Sequence, residues 1–263
     1  MRHNKFLDNL CLIFVFSFLF LPILILILFS FNTSEMNIVF EGFTFHWYKD
    51  LFNNRTLIEA LVNTLIVAVV STFISTLIGT ISAYALHKYN FPFEKLISEL
   101  IYIPVVIPEI VLGISLLCIY TLINLELGLF TLILAHICFS LPFVIINVRS
   151  VLENMDPNLE KAASDLGAGK LTIFFKIVLP MLMPGILSGA QLAFTLSLDD
   201  VVISYFTSGP GSNTLPLHIL SMIKTGIAPD VNALISIMLL IIFVTLTLSM
   251  LINIRRMKGE IQK

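Results

Sequence analysis

The nearest approach to a nucleotide-binding signature in this chain is GAGKL, Gly167 to Leu171. A phosphate-binding loop needs G-x-x-x-x-G-K-[ST], in which backbone N–H groups cradle phosphates and the final hydroxyl holds magnesium. Counting back from Gly169, the first glycine position is Ser164, and Leu171 replaces the hydroxyl. No buried strand precedes it, so the chain does not bind ATP by this route. The five histidines are scattered, and no nucleophile–base pair stands out. His136 and Cys138 are two apart and fall on different faces of a helix, which excludes a metal site there. His136 reads as a packing residue. Cys11, Cys118 and Cys138 lie inside apolar runs and read as buried thiols, with no disulfide framework. The expectation is a non-enzyme with no metal or cofactor of its own.

Ionisable residues inside apolar runs are the other chemical signal. Such groups are costly in a membrane and usually face a cavity or a partner. Glu109 lies near mid-depth of its run, beside prolines that free backbone carbonyls. Asp199 lies about 15 residues along its run, or ~22 Å at ~1.5 Å per residue, toward the far side of a ~30 Å core. Asp200 follows it, turned by ~100° on a helix, so the two aspartates do not share one job. Two readings stand for them: groups lining a passage, or residues that simply end the helix at the outer surface or pair with a partner chain. Glu109 is open in the same way, between a passage, a structural pairing and a loop position. Tyr205 beside them is either a wall of the passage or a packing aromatic.

The elements that must hold these residues are membrane spans. Of 263 residues 57% are hydrophobic and 12% charged, more apolar surface than a soluble domain can hide. The net charge of −2 carries no basic stripe, so nucleic acid is not a partner. Charge-poor runs place spans at about 10–31, 60–86, 96–125, 127–148, 183–206 and 231–254, one all-α domain over 1–263 with membrane lipid around it. The first run lacks a small-residue cleavage site and is expected to be retained. Pro104 and Pro108 kink or partly unwind the third run. Ser71, Ser75, Gly79 and Ala83, four apart, form a seam for close helix packing. Phe45, Trp47 and Tyr48 suit the membrane–water boundary. Six spans put both termini on one side. Of the 15 Lys and Arg, only Lys49, Arg55 and Lys224 fall on the other side, so the terminal side is cytoplasmic.

The longest polar interruption of the second half is 156–184, DPNLEKAASDLGAGKLTIFFKIVLPMLMP. Asp156 is placed to cap a helix that opens with Pro157. Leu159, Ala162, Ala163 and Leu166 form one apolar stripe, and Gly167 ends the helix. A second short helix carries Leu171, Phe174, Phe175 and Val178 on one face and is closed by Pro180 and Pro184. A polar helix–turn–helix between two spans fits a docking element for a soluble partner on the cytoplasmic side.

That stretch resembles the EAA loop of bacterial ABC-importer permeases, E-A-A-x3-G-x9-I-x-L-P, through Ala162, Ala163, Gly167, Ile177, Leu179 and Pro180. One position departs: Lys161 stands at the motif's Glu, with Glu160 displaced one residue back. GFTFHWY, AHICFSLPFVI, AASDLGA, AFTLSLDDVVISYFTSGP and LPLHILSMIKTGIAPDVNAL extend the likeness to the polyamine branch, the spermidine/putrescine permeases. The resemblance implies a type I ABC-importer permease fold in the bacterial inner membrane. It implies a similar but different second permease subunit, two cytoplasmic ATPase subunits holding ATP and Mg, and a periplasmic polyamine-binding protein. Leu159, Glu160, Ala162, Ala163, Leu166 and Gly167, within the 156–180 loop, would couple to the ATPase. Glu109, Asp199, Asp200 and Tyr205 are the candidate pathway residues for a linear polycation, held by charge-assisted hydrogen bonds and cation–π contact. A permease for another small solute, and a proton-coupled secondary carrier using Glu109 and Asp199 as relays, are the alternatives. The carrier gives no reason for the helix–turn–helix.

Overall fold

The computed structural model describes residues 5–34, 39–89, 92–156, 158–222 and 229–261. Its regular structure is helical, apart from one antiparallel bridge between Asn32 and Phe43. In order the helices are α1 (Lys5–Phe29), α2 (His46–Leu51), α3 (Arg55–Lys88), α4 (Glu94–Val106), α5 (Glu109–Leu122), α6 (Leu129–Glu153), α7 (Asn158–Asp165), α8 (Lys170–Ile173), α9 (Leu179–Asp199), α10 (Val202–Thr207), α11 (Leu215–Met222) and α12 (Pro229–Ile261). Among the described residues, α1, α3, α6 and the continuous 170–199 segment are long and apolar enough to cross a membrane. The bent pair α4–α5 is a fifth candidate, and α12 contributes the shorter apolar stretch Pro229–Val244. Pro157 and Lys224 lie outside the described residues.

The chain divides into two compact units, one built from Met1–Ile58 and Ser221–Lys263, the other from Glu59–Leu220. In the first, α1 is exposed along its apolar length. The turn after it is clasped by side chains. The Trp47 indole N–H donates to the Asn32 carbonyl at 2.6 Å. The Asn32 amide donates to the Val39 carbonyl at 2.7 Å. Phe31 stacks on Phe43 and meets Phe45 edge-on. The boundary aromatics therefore pack on one another and on the chain. Asn54 ties α2 to the start of α12 by donating to Asp230 Oδ2 at 2.7 Å.

The second unit is organised by α6 against α9. Gly185 and Gly189, four apart, allow the approach: a Cβ on Gly185 would meet Val151 Cγ2 at 2.7 Å, and one on Gly189 would meet Val144 Cα at 3.0 Å. Without a hydrophobic drive between helices in lipid, such small residues permit the packing that holds them. The α3 seam does the same. Ser71, Ser75, Gly79 and Ala83 are all buried, and a Cβ on Gly79 would meet Val144 Cγ1 at 2.7 Å.

Two expectations change and one is sharpened. The third span takes the unwound form of the two expected, with α5 bent by 112° from the direction of α4. Pro104 sits inside α4 without breaking it, and the break falls at Ile107 (φ −74°, ψ 144°), the residue before Pro108. Proline sterically excludes its predecessor from the helical region. The helix at 171–178 is not closed by Pro180 and Pro184. A π-helical turn, Phe174–Val178, carries it into α9, with the Leu179 N–H reaching back to the Phe174 carbonyl. Pro180 follows where the hydrogen-bond ladder is already changing its spacing, so its missing N–H breaks no regular run. Finally, the three cysteines are exposed on their apolar helices and not buried.

Candidate functional site

The polar interruption forms where Asp156 and Gly167 delimit α7. The Asn158 N–H donates to Asp156 Oδ1 at 2.9 Å, the expected cap. Gly167 has φ +86°, a conformation that an L side chain resists. Around it the Gly167 N–H reaches the Ser164 carbonyl at 2.9 Å and the Ala168 N–H reaches the Ala163 carbonyl at 3.1 Å. These two bonds are the Schellman ending of a helix.

The apolar residues of α7 do not share one environment. Ala163 is buried in the core with Ala83, Val148, Ile173 and Leu182. Leu159 and Ala162 are exposed, and Leu166 is 89% exposed. The four-residue stripe therefore splits, because a helix of two turns presents opposite edges of a wide stripe to different surroundings. Ala163 seats α7 on its own chain, and Leu159, Ala162 and Leu166 form an uncovered apolar edge flanked by exposed Lys161 and Asp165. Farther on, Ile173 and Val178 are buried, while Leu171 and Phe175 are exposed. Phe174 packs on Tyr84 with ring centroids 5.0 Å apart.

Glu160 turns inward. It pairs with Lys88 at the end of α3, and Lys88 Nζ also donates to the Tyr84 hydroxyl at 2.8 Å. The displaced motif glutamate thus anchors α7 to α3, and Lys161 takes the outward position. Lys88→Gln and Glu160→Gln, singly or together, are expected to raise tryptic cleavage at the exposed Lys161 and Lys170 by the same roughly threefold factor, since a partly exposed pair is worth about 1 kcal/mol or less. Additive effects in the double variant would show that the two side chains act separately.

The acidic residues gather at two helix breaks. Glu109 is the first residue of α5, exposed, where the helix dipole favours an acid. It lies within electrostatic range of Asp200 and Asp199. Asp199 is the last residue of α9 and exposed. A carboxylate at a helix C-terminus is disfavoured by the dipole, so Asp199 is not there to stabilise α9. Tyr205 on α10 is 62% exposed and meets Phe206 edge-on at 5.3 Å. Phe206 presses on α5, where a Cβ on Gly113 would stand 2.8 Å from its ring.

Asp200 does not stand with them. It is 7% exposed and caps α10, accepting from the Ile203 N–H at 3.1 Å, the Ser204 N–H at 2.7 Å and the Ser204 hydroxyl at 2.7 Å. Its remaining neighbour is His136, whose Nε2 is 3.4 Å away. The extended backbone at Asp200 (ψ 127°) turns it inward and leaves Asp199 outside. His136 has no sequence signal beyond its polarity within an apolar helix.

Apolar spanning helices with carboxylates at their breaks are the arrangement of a multi-pass membrane transport protein. Residues 75–257 match the family described as binding-protein-dependent transport system inner membrane component, and the chain belongs to that family of inner-membrane proteins. It is 40% identical over 248 residues to the spermidine/putrescine transport system permease protein PotC of Haemophilus influenzae, covering 94% of this chain and 96% of that one. It is 43% identical to PotC of Escherichia coli K12 over 88% of each, and 36% identical to the putrescine transport system permease protein PotI of the same strain over 80% of this chain and 77% of that one. Its fold matches a chain of a bacterial ABC transporter that imports the acidic polysaccharide alginate, with TM-score 0.74 and 15% identity over 95% and 98% of the two chains. An amino acid ABC transporter chain matches at TM-score 0.56 and 18% identity over 79% and 96%.

Proposed function

We propose that this chain is a permease subunit of a polyamine ABC importer and lets spermidine or putrescine cross the inner membrane. The observation that carries the reading is the exposure of two carboxylates, Glu109 and Asp199, at breaks in apolar helices, in a chain whose relatives at 36–43% identity are named as polyamine permeases. A linear polycation sheds water on entering the membrane. Carboxylates spaced along its path replace that water by charge-assisted hydrogen bonds, with Tyr205 offering an aromatic face.

The chain spans the membrane six times, with α4–α5 as one broken span and both termini cytoplasmic. Its partners are a second, similar permease, two cytoplasmic ATPases and a periplasmic binding protein. A transporter matched in fold was solved with its ligand-bound periplasmic protein, which supports that kind of partner. ATP and Mg belong to the ATPase. The uncovered edge Leu159–Ala162–Leu166 docks into it, with Glu160, Ala163 and Gly167 fixing the lever behind that edge. Closure of the ATPases moves α7 as a rigid body, and the two permeases alternate between inward and outward states.

The test is uptake of labelled spermidine by proteoliposomes holding the whole assembly. Uptake that needs the ATPase and ATP, and persists with a proton uncoupler, is expected. An active assembly that ignores spermidine and putrescine would remove the substrate. Uptake by this chain alone, abolished by the uncoupler, would make it a secondary carrier.

A further inference from the structure

His136 lies on α6, 1% exposed, and touches both sides of the break between α9 and α10. Its Nδ1 is 2.7 Å from Ser197 Oγ in the last turn of α9. Its Nε2 is 3.2 Å from Ser204 Oγ on α10 and 3.4 Å from Asp200 Oδ2 between them. Ser71 on α3 lies 3.3 Å from Ser197 Oγ.

The neutral imidazole offers a proton ordering that satisfies this chain of groups. The Ser204 hydroxyl donates to Asp200, so its oxygen is free to accept from His136 Nε2–H. Nδ1 then accepts from the Ser197 hydroxyl, and the Ser71 hydroxyl has two acceptors in reach, Ser197 Oγ at 3.3 Å and the Ala68 carbonyl at 3.4 Å. The apolar surroundings reinforce the pattern: Ile203 of α10 is buried with Leu112, Leu116, Tyr120, Ala135 and Phe139. A buried network with every member paired specifies one geometry, and removing its centre leaves polar groups without partners.

We propose that His136 is a positioning residue for the substrate pathway. By bridging Ser197 to Ser204 and Asp200, it fixes the turn at which the chain leaves α9, and that turn sets where the Asp199 carboxylate stands relative to Glu109. The function inferred for His136 rests on the reading of Asp199 as a pathway group. The geometry does not, and the test separates the two.

The experiment uses the complete importer with Cys11, Cys118 and Cys138 replaced and Asp199→Cys introduced. The rate at which residue 199 reacts with a charged, water-soluble thiol reagent is compared with His136, His136→Leu and His136→Gln. Leucine keeps bulk without polarity. Glutamine keeps a donor near the Nε2 position. In parallel, the spermidine concentration for half-maximal uptake is measured with Asp199 intact. Roughly a fivefold or larger change in labelling rate is expected for His136→Leu, with half-maximal uptake moved to higher concentration and the maximal rate per assembled complex less affected. His136→Gln should recover most of both. A histidine that only packs would lower the amount of assembled complex and leave labelling and half-maximal concentration per complex unchanged, and that result overturns the proposal. If His136→Leu does not assemble, Ser204→Ala is read by the same labelling assay: a shift supports the proposal and no shift overturns it. If labelling shifts while Asp199→Asn transports normally, the bridge is upheld and the pathway reading fails. If Asp199→Asn abolishes uptake while labelling never shifts, the pathway reading stands and the bridge fails.

Discussion

Leu166→Asp is expected to leave the permease inserted and folded but to detach the ATPase of the proposed assembly, with association weakened about a hundredfold or more. Leu166 is 89% exposed, so the described residues leave its side chain almost uncovered. Covering a leucine on assembly contributes ~2 kcal/mol. A carboxylate in its place must also lose hydration against an apolar groove, which costs about as much again. At ~1.4 kcal/mol per tenfold, the sum reaches the stated factor. Co-purification of the ATPase with the permease, at matched permease levels, checks it. The opposite edge of α7 gives the contrast. Ala163→Leu overfills the core around Val148 and Leu182, so its damage should appear as lost permease and not as lost association. Equal ATPase recovery with Leu166→Asp and wild type would mean that another surface receives the ATPase.

The division of α7 into a seated edge and an open edge also marks where sequence reasoning stops. Asp156 as a cap and Gly167 as an ending are local features, set by hydrogen bonds within a few residues, and both stand in the structure. The stripe is local too, but which of its residues meets α3 and the start of α9 is decided by chain far away. Hydrophobic runs likewise give the spanning helices, since any helix in lipid must be apolar, whereas the direction each residue faces is not encoded in apolarity. Cys118 and Cys138 show this: thiols at home in an apolar run face outward and not into the core. Pro108 announces a break, though the 112° turn depends on what α5 packs against. Pro180 and Pro184 announce an ending that the π turn overrides. The spacing of Gly185 and Gly189 is a readable sign of close packing. His136 was unreadable because its partners arrive from 61 and 68 residues along the chain.

The second large effect separates two adjacent aspartates. Asp199→Asn and Glu109→Gln are each expected to lower spermidine uptake at limiting substrate by roughly tenfold or more, with the ATPase still stimulated by loaded binding protein. A charge-assisted hydrogen bond is worth about 1.5–3 kcal/mol, and a cation crossing apolar surroundings has no water to replace it. Asp199 is not exposed for the sake of the fold, since it opposes its own helix dipole, whereas Glu109 also suits the start of α5. Asp200→Asn should fail differently. Its carboxylate accepts three hydrogen bonds that seat α10, and an amide cannot accept on both atoms. The loss there should be first of assembled, thermally stable permease, and because Asp200 belongs to the turn that places Asp199, each surviving complex should show half-maximal uptake moved to higher concentration, as with His136→Leu, and not a lost maximal rate. Uptake measured per assembled complex, beside a thermal-stability curve for each variant, distinguishes the two. Wild-type uptake in both Asp199→Asn and Glu109→Gln would move the pathway away from these helix breaks. A normal melting curve for Asp200→Asn with abolished uptake would put Asp200 in contact with substrate despite its burial, in a state where α10 has swung away from α6. The bridge through His136 would then be a gate contact that opens during transport, and not a permanent brace.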